Sequence, residues 1–186
     1  MSVGTEKYVT AAKPSTGGAV HTAALGTTLP TDALTALSSD TYTSMGYIST
    51  DGLKQTITKT STSVKAWGGD VVLYIDQGRE DTFTCTFIEG LNPDVLALVH
   101  GDDNVSGDLS TGITVKVNSD EQDARAWVVD MIMKNGALKR ICIPNAVITA
   151  IAEVSYNEQG AVGYQVTIGT LPDSSGYRYY EYVIAA

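Results

Sequence analysis

Residues 46–101 read GYISTDGLKQTITKTSTSVKAWGGDVVLYIDQGREDTFTCTFIEGLNPDVLALVHG and carry the strongest local signals of the chain. The run from Leu53 to Thr62 is rich in threonine, which favours a strand, yet both faces of this strand are polar. Val71–Ile75 is apolar enough to predict a buried strand, and Gln77–Glu80 predicts a turn. From Thr82 to Ile88, apolar residues alternate with threonines, which predicts a strand with one buried face.

A short helix closes this stretch. Asn92 suits the N-cap, Pro93 suits the first helical position, and Gly101 suits the end of the helix. An apolar stripe is formed by Val95, Leu98 and Val99. Two helical turns are too short to be stable alone, so we expect the helix at about 92–100 to pack as a plug on a sheet.

The rest of the chain predicts more strands. Asn135-Gly136 is a hairpin signal, and Pro144-Asn145 predicts a turn. The alternating segments are 124–133, 138–143, 146–156, 162–168 and 177–184. The expected fold is therefore mostly β: an antiparallel β-sandwich or barrel with one short plug helix and extended arms or loops. Residues 1–40 lack periodicity and predict an N-terminal arm, which leaves 41–186 as the β-domain.

Composition excludes several functions. The net charge is −9 and the isoelectric point is about 4.5, whereas nonspecific binding of nucleic-acid phosphates needs lysine and arginine. Motifs for nucleophilic, metal-dependent or nucleotide chemistry are absent from the sequence, so we expect no enzyme and no cofactor. The acidic pair Glu80/Asp81 is interpreted as solvated acids in a turn. Cys85 and Cys142 are interpreted as buried thiols, with one disulfide as the alternative.

One loop resembles part of a calcium site. Five residues match its positions 1, 3, 5, 6 and 7: Asp102, Asn104, Ser106, Gly107 and Asp108. Ile113 replaces the glutamate needed at position 12, and a strand follows in place of a helix. A plain polar loop is the favoured interpretation, so no metal site is predicted.

The succession of these segments is similar to a known family. The order GYISTDGL, threonine-rich strand, AWGGD loop, strand, alternating strand and NPDVLALV helix resembles the major tail tube proteins of long-tailed, non-contractile bacteriophages. The resemblance covers most of the chain in order and length. It implies a structural virion protein, made and assembled in the host cytoplasm, that forms stacked hexameric rings. The resulting hollow tail tube conducts the genome into the host during ejection.

The resemblance also implies partners and sites. The chain would bind copies of itself and the tape-measure, tail-tip and tail-terminator proteins; DNA would pass without specific binding, and no membrane insertion is expected. Polar residues expected to line the lumen are Thr56, Thr58, Thr60, Glu153 and Gln165. Residues expected at contacts between subunits are Trp67, Gly68, Gly69, Tyr177, Tyr179, Tyr180 and Tyr182. Tyrosine and tryptophan are enriched at interfaces, although the tyrosines also fit an ordinary final strand.

Another interpretation remains open. A monomeric β-sandwich that decorates a virion, or that acts as a cell-surface adhesion module, would share the alternation and the acidity. It would not need a strand with two polar faces or an exposed loop tryptophan.

Overall fold

The computed structural model describes residues 6–15 and 17–185, without the side chain of Lys7. The strands are β1 (Ala12–Pro14), β2 (Val20–Ala24), β3 (Thr43–Ser44), β4 (Lys54–Lys65), β5 (Val71–Phe87), β6 (Val105–Ser106), β7 (Thr114–Val115), β8 (Arg125–Met133), β9 (Leu138–Ile151), β10 (Tyr164–Thr170) and β11 (Tyr180–Ile184). The helix α1 is Pro93–His100, and 3₁₀ turns lie at Glu6–Tyr8 and Asp102–Asn104.

Within the described ranges, nine of these strands form one antiparallel sheet. Its order is β3-β2-β8-β9-β10-β5-β4, with β1 added beside β8 and β11 added beside β9. Strands β6 and β7 form a separate pair. The predicted mostly β fold with one short helix is confirmed.

Helix α1 covers one face of the sheet. Its start is capped as predicted, because the side chain of Asn92 accepts a hydrogen bond from the Asp94 amide at 3.0 Å. Its buried residues join Phe83, Phe87 and Trp127 in the main core. Burial of this apolar surface, more than helix propensity, stabilises an eight-residue helix.

A smaller cluster lies on the opposite face of β8 and β9. It contains Val128 and Cys142, and Tyr42 packs on it from the chain that follows β2. Cys85 belongs to the main core, so the sheet separates the two sulfur atoms and both cysteines are free thiols. The thiol interpretation is therefore correct, and the disulfide alternative is wrong.

Two predicted turns are wrong. Strand β5 runs unbroken through Gln77–Glu80, where a register shift against β4 and a positive φ at Gly78 mark a bulge. Strand β9 likewise continues through Pro144-Asn145. Pro144 fits there because it lies at a register shift against β8, between the part of β9 that pairs with β11 and the part that pairs with β10.

The segment predicted as an N-terminal arm contributes to the sheet. Strand β2 pairs with β8 on one side and with β3 on the other. Arg140 attaches the following segment to the sheet, since its guanidinium binds Asp130 and donates to the backbone oxygens of Asp32 and Thr35. The domain boundary at residue 40 stays a prediction.

Candidate assembly surfaces

The first surface is the outer half of the β4–β5 hairpin. Strand β10 pairs with β5 only from Thr82 to Phe87, so residues 71–81 of β5 have β4 as their one strand partner among the described residues. The turn at the tip places Trp67 in solvent, fully exposed, beside Gly68 and Gly69. Gly69 has a φ of 95°, which favours glycine at this turn.

The burial predicted for Val71–Ile75 is wrong. All five side chains are exposed, by 44% to 67%. A two-stranded hairpin has no second layer to cover either face, so an apolar run in it stays in water. Sequence could predict the strand but not its lack of a packing partner.

The second surface is the polar face of β4, β5 and β10. Thr84 pairs with Lys54 on one side and with Thr167 on the other, while Phe83 and its alternating neighbours face the main core. Three predicted lumen residues, Thr56, Thr58 and Thr60, alternate along β4 on this polar face before the register shift. Cross-strand threonine contacts such as Thr84–Thr167, at 3.5 Å, continue the face across the sheet.

The other two predicted lumen residues lie nearby. Gln165 is on the polar face, where its side-chain amide donates to the Thr86 hydroxyl at 3.5 Å. Glu153 is exposed and lies two residues beyond the end of β9, next to Ala152, whose amide binds the Gln165 carbonyl. The structure thus gathers four of the five residues on one face, and their role in a lumen stays a prediction.

The third surface consists of two open strand edges. Among the strands of the described residues, β4 pairs with β5 alone. Strand β8 ends its pairing with β9 at Ala146, so residues 147–151 of β9 pair with β10 on one side and with no described strand on the other. These edges bound a four-stranded section, β4-β5-β10-β9, whose backbone donors and acceptors are ready to pair further.

The predicted tyrosine contacts differ in exposure. Tyr177 is exposed, whereas Tyr179 packs edge-on against Phe83 with ring centroids 5.5 Å apart. Tyr180 and Tyr182 pack against the smaller cluster. The Tyr180 hydroxyl donates to Asp173 at 2.6 Å, which raises the pKa of Tyr180 to about 12 and lowers the pKa of Asp173. The inter-subunit role of these tyrosines stays a prediction.

A buried ion cluster lies at the base of the hairpin, and sequence reasoning missed it. The predicted solvated turn acid Asp81 is fully buried. The Arg79 guanidinium donates to Asp81 at 2.7 and 2.9 Å, and Arg178 lies 3.8 Å away. The Tyr179 hydroxyl accepts from Arg79 at 3.3 Å. The cluster joins the chain before β11 to the point where the hairpin leaves the body.

The loop that resembles part of a calcium site is held by its own hydrogen bonds. Asp108 accepts bonds from the amides and hydroxyls of Ser110 and Thr111, which lowers its pKa to about 2. Asp102 pairs with Arg125. No group of three or more potential metal ligands is found in the described residues.

An apolar groove lies at the other end of β5 and was not predicted. It encloses about 640 Å³ between the turn after β5, the start of α1, β7 and the start of β10. Its walls include Ile88, Leu91, Leu96, Val115 and Val162. None of the residues that line it is charged.

Open strand edges, an exposed apolar hairpin and an apolar groove are typical of one class of protein, the structural β-subunits that bury such surfaces by assembly. No described helix is long and apolar enough to cross a membrane.

The family model of the phage tail tube proteins matches residues 1–185, and the chain belongs to this family. A solved structure with a similar course is the cap that terminates the tube of the anti-feeding prophage. It shares 11% identity over 94% of this chain and 92% of that chain, with a TM-score of 0.42. No curated protein matches the sequence.

Family membership makes the chain a structural component of a phage tail, which indicates a non-enzymatic role.

Proposed function

We propose that six copies of this chain close into a ring, and that rings stack into the hollow tail tube through which the genome leaves the capsid. The observation that carries the proposal is the four-stranded section with two open edges and one polar face. Pairing of β4 of one subunit with residues 147–151 of β9 of the next would remove both edges.

The expected dimensions agree with this role. Six four-stranded sections make a barrel of about 24 strands. With strands roughly 4.8 Å apart and tilted by about 40°, the backbone diameter is roughly 50 Å. Each side chain that points inward extends about 5 Å from the backbone, which is half of the ~10 Å spacing between packed sheets. The bore is therefore roughly 40 Å wide. A DNA duplex passes through such a bore.

The polar face suits a conducting wall. Thr82, Thr84 and Thr86 present hydroxyls, and the register places one cation, Lys54, and one anion, Glu80, on the same face of the hairpin. Phosphates are bound strongly by arrays of lysine and arginine, which this face lacks in its described part. DNA would therefore slide without specific binding.

The remaining partners follow from the family role. A tube of this kind would grow in the host cytoplasm around a tape-measure protein, start at a tail-tip complex and stop at a terminator protein. The finished tube would be part of the virion.

Negative-stain electron microscopy with light scattering tests the proposal. We expect hollow tubes or six-fold rings from the purified chain, alone or with tail-tip proteins. A chain that stays monomeric with tail-tip proteins present would contradict the tube function and favour a decoration module.

Paired proline variants test the edge contact. The amides of consecutive strand residues point to opposite edges of the strand. One of the two variants Thr58→Pro and Lys59→Pro therefore loses a hydrogen bond to β5. The other, called the edge variant, loses only an amide at the open edge. We expect the edge variant to keep the melting temperature of the wild type within a few degrees and to form no rings. Normal rings from both variants would exclude β4 from the contact.

A further inference from the structure

We infer that the tip of the β4–β5 hairpin, residues 64–75, docks in the apolar groove at the far end of β5 on a second copy of the chain. This rests on the proposed stacking of rings and adds which two surfaces meet between them. The groove walls are Ile88, Leu91, Leu96, Val115 and Val162.

The tip exposes more apolar surface than an isolated subunit explains. Trp67 is fully exposed, Val71–Ile75 are about half exposed, and Val64 pairs with Leu73 while remaining 37% exposed. Together these side chains present roughly 700 Å², given ~250 Å² for a tryptophan. Stable interfaces bury about 800 Å² on each partner, so the apolar area exposed at the tip is close to the area that one partner contributes.

The groove has the complementary chemistry. Its volume of about 640 Å³ accommodates several large apolar side chains. Leu91 lines the groove and is 65% exposed. The floor is closely packed, because a Cβ on Gly90 would lie 2.9 Å from the Val162 carbonyl oxygen. The groove is therefore a rigid apolar surface, and no other residue among 6–15 and 17–185 of its own subunit fills it.

The positions of the two surfaces favour a second copy as the occupant. Trp67, at the turn of the tip, precedes the first residue of β5, and the groove begins after its last, so the 17 residues of β5 separate Trp67 from the groove. At about 3.3 Å per residue, this distance is roughly 55 Å. The tip cannot reach the groove of its own subunit. Two different surfaces at opposite ends of one subunit make a head-to-tail contact, which repeats without limit along an axis.

The docking also predicts the axial distance between successive rings. If β5 is tilted by about 40° to the tube axis, as in closed barrels, its axial projection is roughly 40 Å. The repeat between rings should therefore be about 40 Å, measurable from the layer lines of tube images. A repeat below 30 Å or above 55 Å would contradict tip-in-groove docking.

Cross-linking tests the contact directly. Trp67→Cys and Leu91→Cys are combined in one chain, and assembled tubes are treated with a short bismaleimide. Burial raises the pKa of Cys85 to about 12 and of Cys142 to about 11, so the native thiols stay unreactive. We expect a ladder of dimers, trimers and higher species on a denaturing gel, and no ladder from either single variant.

Two failures are distinguishable. Tubes of the double variant that give no ladder would overturn the docking and leave the tube function standing. A wild-type chain that forms neither rings nor tubes with tail-tip proteins would overturn the tube function and the docking with it.

A matched pair of leucine variants gives a second readout. Leu91 and Leu109 are exposed by 65% and 70%, and only Leu91 borders the groove. We expect Leu91→Asp to retain its melting temperature and ring formation but to lower the fraction of stacked rings at least about tenfold. Leu109→Asp should stack like the wild type. Equal stacking of the two variants would contradict the inference.

Discussion

Asp81 is fully buried although it carries a charge. A buried carboxylate is tolerated when cations and hydrogen bonds compensate it, and Arg79 and Arg178 supply that compensation here. The Asp81 backbone oxygen also accepts from the buried Thr170 hydroxyl at 2.9 Å. This residue therefore fixes where the hairpin leaves the body and ties β5 to β10 and to the segment before β11.

The first prediction concerns this carboxylate. Asp81→Asn should lower the free energy of unfolding by about 2 kcal/mol, because both guanidiniums lose their partner but can turn toward water. Urea denaturation followed by circular dichroism measures the change. Glu80→Gln, at the exposed neighbouring position, is the control and should change stability by less than about 0.5 kcal/mol. Equal effects of the two substitutions would mean that the ion cluster contributes little.

The second prediction concerns the thiols. Burial raises the pKa of Cys85 to about 12 and of Cys142 to about 11, so both remain protonated at pH 8. Since only the thiolate reacts, a disulfide reagent should label neither cysteine in the native chain and both in denaturant. A cysteine that reacts within seconds in the native chain would contradict the described burial.

Residues with local roles were predictable, and residues with distant partners were not. The Asn92 cap was predicted because an N-cap depends only on the next few residues. The Asp81 cluster was missed because Arg178 and Tyr179 come from the far end of the sequence, and because Arg79, two residues before Asp81, was predicted to lie in a turn.

At the scale of elements, β5 serves two purposes. Its second half, from Asp81 to Phe87, alternates buried and half-buried residues within the sheet, whereas its first half is exposed. The body of the subunit should therefore fold without the outer hairpin.

The third prediction tests this division. Replacing residues 61–77 with Asn-Gly joins β4 to β5 by a tight turn and removes the tip. We expect the monomer to keep its melting temperature within a few degrees, because the removed residues pair only with one another. Ring stacking should be lost. A fall of more than about 10 °C would show that the tip supports the fold of the body.

The same strand shows what the sequence could predict of the candidate site. Alternation along β4 predicted that Thr56, Thr58 and Thr60 share one face, because successive side chains of a strand point to opposite faces. The run Val71–Ile75 was predicted as buried because an apolar composition does not reveal whether a second layer covers the strand. The groove escaped prediction because its walls come from four separate parts of the chain.

At the scale of the whole molecule, the net charge of −9 opposes association. Bringing like-charged subunits into one ring costs electrostatic free energy that salt screens over a Debye length of about 10 Å at 0.1 M.

The fourth prediction follows from this repulsion. The rate of tube growth, measured by light scattering, should rise between about 10 and 150 mM sodium chloride, because screening weakens the repulsion while apolar contacts persist. Growth that slows with added salt would indicate that ion pairs between subunits dominate the contacts.

The open edge of β4 also decides between two competing products of association. An exposed strand of 12 residues can also template an amyloid-like fibre. All three charged residues of β4 are lysines, Lys54, Lys59 and Lys65, whereas residues 147–151 of β9 carry no charge. One copy of β4 therefore repels another copy of β4 but not the uncharged edge of β9. In the proposed ring, the lysines would therefore act as gatekeepers that keep β4 unpaired until the β9 edge of another copy binds it.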